Sequence, residues 1–175
     1  IIQGSLTDLG VISSSASNEG SRTINIAGLS GLSEGDLIII HNQSDYSFSP
    51  HRANYQDGEF AEIKSVSGDI VTLTKPLESS YVAVSTNKIF KVNSVTPVVE
   101  GISVEGDAGY QFEISFARGG HLKPKRINGG TSGAFVLNKS YGTAIFGGEY
   151  SNKSANTGLQ YGIAILNSQD ISGYG

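Results

Sequence analysis

The chain contains no cysteine, so neither a disulfide framework nor a thiolate metal site can form. Methionine is also missing, even at position 1, where Ile1 stands, and the expectation from this is a fragment or processed product of a longer chain. The strand-like end Ile171–Gly175, with no polar cap after it, points the same way. Charge is scarce: charged residues are 16% of the 175 and sum to −4, with an isoelectric point near 5.3. Nucleic-acid binders collect phosphates with a clustered basic footprint. The one basic cluster here, Lys123, Lys125 and Arg126, reads as a solvated turn, so no nucleic-acid partner is expected. Apolar runs such as Leu37–Ile40 stop at four residues, far short of the ~20 that span a bilayer as a helix, and no membrane insertion is expected. No basic start followed by an apolar stretch marks a signal peptide.

What the chain has in excess is glycine. Its 23 glycines are roughly twice the usual share of about 7%, and together with polar uncharged residues they suit an all-β protein rich in turns. Residues 1–22 read as an arm or a first partial coil. From residue 23 to 96 the pattern is that of a small antiparallel β-module. Ile24 and Ile26 alternate with polar neighbours, and the β-branched run Leu37–Ile40 is too short and stiff for a helix. Residues 43–57 read as a long loop. Ala61, Ile63 and Val66, a turn at Ser67-Gly68-Asp69, then Val71 and Leu73 make a β-hairpin signal. Val82, Val84, Ile89, Phe90 and Val92 supply one or two further strands, and Pro97 marks a junction.

After Pro97 an apolar residue followed two positions later by glycine recurs in Val104-Glu105-Gly106, Ile127-Asn128-Gly129, Phe146-Gly147-Gly148 and Ile171-Ser172-Gly173. Separations of about 20 residues are the period of a solenoid, each coil holding two or three short strands. Residues 97–175 are therefore expected to form about three or four coils of a right-handed parallel β-helix, with glycine at the corners and an insertion at Ser151–Gly158. A Gly-rich β-sandwich with coincidental turn signals stands as the alternative.

The stretches Gly35–Ile40, Glu59–Asp69, Val71-Thr72-Leu73 and Pro76-Leu77 resemble the small β-domain near the start of many pectate-lyase-like β-helix proteins, which bacteriophage tail spikes often carry. In that family the chain leaves the first coils, forms a compact module, and returns through a segment like Val98–Val104. The resemblance implies a tail spike or tail fibre fragment on the virion, outside the cell, that attaches to bacterial capsule or lipopolysaccharide. It also implies a parallel homotrimer, and it leaves open whether the parent protein is a polysaccharide depolymerase. The other reading is a truncated secreted bacterial enzyme of the same fold, a glycosidase, lyase or epimerase.

Glycosidases need two carboxyl groups, ~5 Å apart for retention or ~6.5 to 9.5 Å for inversion. Aligning the repeat landmarks puts Asp107 and Glu149 at one offset with Gly130 between them, two coils or ~9.6 Å apart. Glu113, on the outward side of Tyr110–Phe116, is a third candidate, and outward acids of a solenoid are usually merely solvated. His41, His51 and His121 lack the spacing of a metal site, the calcium nonapeptide pattern is missing, and no Gly-x-Ser-x-Gly elbow occurs. No cofactor or metal is expected, and the fragment is not expected to hold a complete active site. Tyr46, Tyr55, Tyr141, Tyr150 and Tyr161 fall in loops or strand ends, where an exposed ring can stack on a sugar, but most such rings cover coil ends or the module junction, so none is taken as a site.

Overall fold

The computed structural model describes residues 1–11, 17–26, 28–45, 56–81, 87–107, 109–151 and 161–174. Val82 and Val84, His51, Tyr46 and Tyr55, and most of the expected loops at 43–57 and 151–158 lie outside the described residues. The chain forms two compact units, one of Ile1–Ser5 with Ser94–Gly175 and the other of Leu6–Asn93. The sequence boundaries stood at 22/23 and 96/97. Strand β1 (Ile2–Gln3) belongs to the first unit, and most of β2 (Ser5–Val11), within the expected arm, to the second.

The second unit continues with β3 (Thr23–Asn25), β4 (Leu37–Asp45), β5 (Gln56–Ser67), β6 (Ile70–Leu73) and β7 (Asn87–Asn93). They form one six-stranded sheet in the order β2-β7-β4-β5-β6-β3, and the β3–β6, β4–β5, β4–β7 and β5–β6 pairs are antiparallel. Alternation of β-branched residues decides its face: Ile24, Ile38, Ile40, Ile63, Val71, Leu73 and Ile89 share one buried cluster. Leu37 is buried as well and Ile39 half-buried, as befits a strand with neighbours on both sides. At the hairpin, Ser67 faces Ile70 across Gly68-Asp69. Gly68 has a φ of 58° while Asp69 has no positive φ, the order of a type II′ turn, which matches the twist of the strands it joins.

The first unit resumes with β8 (Val98–Glu100), β9 (Ser103–Gly106) and β10 (Tyr110–Ser115), a set of three that recurs. The second set is β11 (His121–Lys123), β12 (Arg126–Gly129) and β13 (Gly133–Asn138). The third is β14 (Ala144–Phe146), β15 (Glu149–Ser151) and β16 (Tyr161–Leu166), after which β17 (Ser172–Tyr174) begins a fourth. Every pairing among them is parallel, and they stack into three sheets: β1-β10-β13-β16, β17-β14-β11-β8 and β15-β12-β9. This is a three-sided parallel β-helix, and parallel ladders exclude the antiparallel sandwich. The coil is 23 residues, since Val98 pairs with His121, His121 with Ala144, and Ser103 with Arg126 and then Glu149. The next step is 28, from Gly133 to Tyr161 and from Ala144 to Ser172, so five extra residues enter between Ser151 and Tyr161.

Inside, like stacks on like. Val99 and Leu122 lie under Ile145, Val104 and Ile127 under Tyr150, Phe112 under Phe135, and Ile2 and Ile114 under Leu137. The Phe112 and Phe135 rings are 6.0 Å apart and stacked. Corners repeat with the same fidelity. Phe116, Lys139 and Asn167, each just past a strand of one sheet, all adopt positive φ. The next residues form a hydroxyl ladder: Ser140 Oγ accepts from the Ala117 amide at 3.1 Å, and Ser168 Oγ from the Ser140 amide at 3.0 Å. At the corner after β12, glycine is obligatory, with Gly129 at φ 118° beside the backbone of Gly106.

Candidate functional site on the outer faces of the β-helix

Because strand side chains alternate, each inward column leaves outward columns beside it. In the sheet β8–β11–β14–β17, Val99, Leu122 and Ile145 point inward, and their strand neighbours face out. His121 Nε2 lies 2.8 Å from Glu100 Oε1. The same imidazole meets Phe146 edge-on at 6.0 Å, and Phe146 stacks on Tyr174 at 5.1 Å with planes within 15°. Small residues, Ala144 and Ser172, flank the two rings, and Tyr174 is 59% exposed. On the sheet β9–β12–β15 the outward side chains hydrogen-bond along the helix. Asn128 Nδ2 donates to Glu105 Oε1 at 3.3 Å, and the Ser151 hydroxyl donates to Asn128 Oδ1 at 2.9 Å. Beside them Arg126 Nε stands 3.5 Å from Glu149 Oε1. Ser115 donates to Glu113 Oε1 at 2.9 Å on the third sheet.

Strand register does not bring the expected acids together. Glu149 lies opposite Arg126, and two coils below it is Ser103, whereas Asp107 follows Gly106, which pairs with Gly129. The offset that joined Asp107 to Glu149 came from treating four landmarks as one column. Val104 and Ile127 are one column, completed by Tyr150, but Phe146 lies in the neighbouring sheet and Ile171 just before β17. Glu113 is followed along its column by Val136 and Ala164. Among the described residues of the three parallel sheets, no register column carries two carboxylates. Of the tyrosines, Tyr150 points inward, with a buried hydroxyl that has no hydrogen-bond partner among the described residues and that burial pushes above the usual phenol range. Tyr141 is half-buried at a corner, bridged to Arg118 and Gln169, and the side chain of Tyr161 lies outside the described residues.

One acid outside the β-helix is strongly held. Glu59, on β5, is buried, and both its oxygens accept the Glu78 amide, at 3.1 and 2.9 Å, while Oε1 also accepts the Ser79 amide at 3.2 Å. Burial raises its pKa above the ordinary carboxylate value, against the lowering effect of the Glu78 amide, the Tyr81 hydroxyl and the Ser79 amide. With backbone donors on both oxygens, it fastens the loop after β6.

The outer faces can therefore offer an aromatic stack, hydrogen-bonding side chains in rows and several separated charges. A profile described as Tailspike protein-like, Ig-like domain matches residues 1–92, more than half of the chain. The chain belongs to this tailspike-like family. No curated protein matches it. Among solved structures, this tailspike-like chain is similar to the Gp54 tailspike of Acinetobacter baumannii bacteriophage AP22, solved with A. baumannii capsular saccharide, at 27% identity and a TM-score of 0.78. It is also similar to tailspike gp49 of Pseudomonas phage LKA1, at 28% identity and a TM-score of 0.69. Tailspike gp61 of Pseudomonas phage phi297, at 23% identity and a TM-score of 0.78, shares the fold. Each likeness covers 99% of this tailspike-like chain and only 29%, 30% and 32% of the AP22, LKA1 and phi297 chains respectively.

His121, Phe146 and Tyr174 were not singled out together from the sequence. The signal was present in the spacing, 23 residues from Lys123 to Phe146 and 28 from Phe146 to Tyr174, but only the register shows that both steps are single coils.

Proposed function

We propose that this chain is part of a bacteriophage tail appendage that attaches the virion to bacterial surface polysaccharide, capsule or lipopolysaccharide, through the outer faces of its β-helix. The observation that carries this reading is the likeness over 99% of the chain to a tailspike solved with capsular saccharide. Exposed outward polar side chains, Glu105 and Glu149 among them, and the Phe146–Tyr174 stack supply what sugar hydroxyls and apolar sugar faces require. In this proposal the working form is a parallel homotrimer, and a depolymerase centre, where the parent protein has one, does not consist of Asp107, Glu113 and Glu149. The experiment is retention of the chain on beads coated with capsule or lipopolysaccharide from a panel of bacterial strains, with soluble glycan as competitor. Saturable, competed binding to at least one glycan is expected, and failure across a panel that includes the parent phage's host would overturn the reading. Sedimentation equilibrium tests the trimer against the 18.3 kDa chain mass.

A further inference from the structure

We infer that Asn128-Gly129 is a latent deamidation site, held closed by the stacking of its coil between two others, and that modification there makes a loss of the stacking permanent. The inference is independent of what the outer faces bind. Ile127-Asn128-Gly129 serves as a repeat landmark, and it also contains the one Asn-Gly pair of the chain. Asparagine is a labile residue, and most labile before glycine, which has no side chain to keep its own nitrogen from the asparagine amide. In the reaction the Gly129 backbone nitrogen attacks Asn128 Cγ and gives up its proton. The Cγ–Nδ2 bond breaks, ammonia leaves with that proton, and a succinimide ring remains. Water opens the ring at either carbonyl, giving aspartate or isoaspartate.

The fold opposes the first step. Asn128 is only 8% exposed, and both ends of its amide are engaged. Nδ2 donates to Glu105 Oε1 in the coil before, at 3.3 Å, and Oδ1 accepts from the Ser151 hydroxyl in the coil after, at 2.9 Å. The backbone that the side chain must reach is fixed as well. Asn128 sits in the ladder between Glu105 and Ser151, Gly129 stands against Gly106, and the Gly130 amide donates to the Gly106 carbonyl at 3.3 Å. Cyclisation therefore requires the side chain to leave both partners and β12 to part from its neighbours, a local opening whose free energy sets the rate. The products no longer fit the closed coil. Aspartate sets a carboxylate oxygen against Glu105 where Nδ2 had donated, so two acceptors meet without a proton between them. Isoaspartate adds a carbon to the main chain in mid-strand, so the residues on its two sides cannot keep one register with β9.

The test ages the 175-residue protein in mildly alkaline buffer, folded and in guanidinium chloride, and follows the tryptic peptide Ile127–Lys139 by mass spectrometry, with fragmentation separating Asn128 from Asn138. Succinimide and isoaspartate at Asn128 are expected to form at least about tenfold faster in the denaturant than in the folded protein. Ser151→Ala and Glu105→Ala each remove one partner of the amide. They should raise the folded rate several-fold and leave the denatured rate unchanged, because the residues beside Asn128 in sequence stay the same. Equal rates in the two states, or a folded rate untouched by both variants, overturns the protected site. Permanence is read on Asn128→Asp, which should unfold at a lower denaturant midpoint than the wild type; an unchanged midpoint overturns that part. Should the variant not fold, wild type partly aged in denaturant and refolded by dilution answers the same question. Modified chains should then be depleted from the folded, protease-resistant fraction, and their equal share in it overturns the inference.

Discussion

Gly129 stands directly against Gly106 of the coil before it: a Cβ built on Gly129 would overlap the Gly106 carbonyl oxygen. The two are register partners at the end of β9 and β12, where Gly129 turns the corner at a φ of 118°. Steric exclusion and backbone conformation both demand glycine there, and neither can relax without separating the coils.

Gly129→Ala should therefore destabilise the β-helix by roughly 2 kcal/mol or more, since it combines a forbidden φ with a backbone collision. Gly147→Ala is the control: Gly147 also has positive φ, 41°, but nothing lies within 4 Å of its Cβ position, so a loss of about 1 kcal/mol is expected. Denaturant unfolding of the two variants checks the ordering. Equal losses would mean that the close approach costs nothing.

Leu137 fills the interior between Ile114 and Ile165 and is fully buried, whereas Ile165, in the same column, is 49% exposed. Leu137→Ala should cost about 2 to 5 kcal/mol by lost transfer energy and cavity formation. Ile165→Ala should cost about 1 kcal/mol, in proportion to the smaller area it withdraws from water. Thermal unfolding at one protein concentration separates them.

Glu59 gives the antiparallel module a pH dependence of definite sign. Its folded pKa is raised above the model-peptide value of 4.5, so the folded state holds that proton more tightly than the unfolded chain. The stability tied to this proton is fully present below pH 4.5 and is lost as pH rises through the folded pKa. The stability difference between wild type and Glu59→Gln should then shift against the wild type as pH rises from 4.5 toward neutrality. A difference constant across that range, measured by urea midpoints, contradicts the assignment.

Arg126 and Glu149 form an exposed pair, 49% and 63% accessible, and such pairs contribute no more than about 1 kcal/mol. Glu149→Gln and Asp107→Asn should keep both fold and glycan retention, and any release of reducing ends from host polysaccharide should persist in the double variant. Loss of that release with binding intact would restore these acids as a catalytic pair.

The hairpin around Gly68-Asp69 was readable from residue order alone, because turn chemistry and alternation are local. So was the solenoid, since Val104-Glu105-Gly106 and Ile127-Asn128-Gly129 are true register partners. Phe146-Gly147-Gly148 and Ile171-Ser172-Gly173 follow the same formula for another reason: they too close on glycine, but around a different sheet. A motif of one apolar residue and one glycine cannot say which side of a three-sided coil it occupies. That ambiguity shortened the apparent period to about 20, where the ladders give 23, and it misplaced Glu149 against Asp107. The Phe146–Tyr174 stack escaped notice because the five extra residues after Ser151 had to be subtracted before the two rings fell on one line.

The short opening strand draws a consequence for how the molecule is made. Ile2 and Gln3 find their ladder partners in Ile114 and Ser115, which follow the whole antiparallel module in sequence. A ribosome releases Ile2 and Gln3 more than a hundred residues before their ladder partners. The described antiparallel pairs of the module, β3–β6, β4–β5, β4–β7 and β5–β6, all lie between Leu6 and Asn93, so that ladder can form while Ile2 and Gln3 still await Ile114 and Ser115.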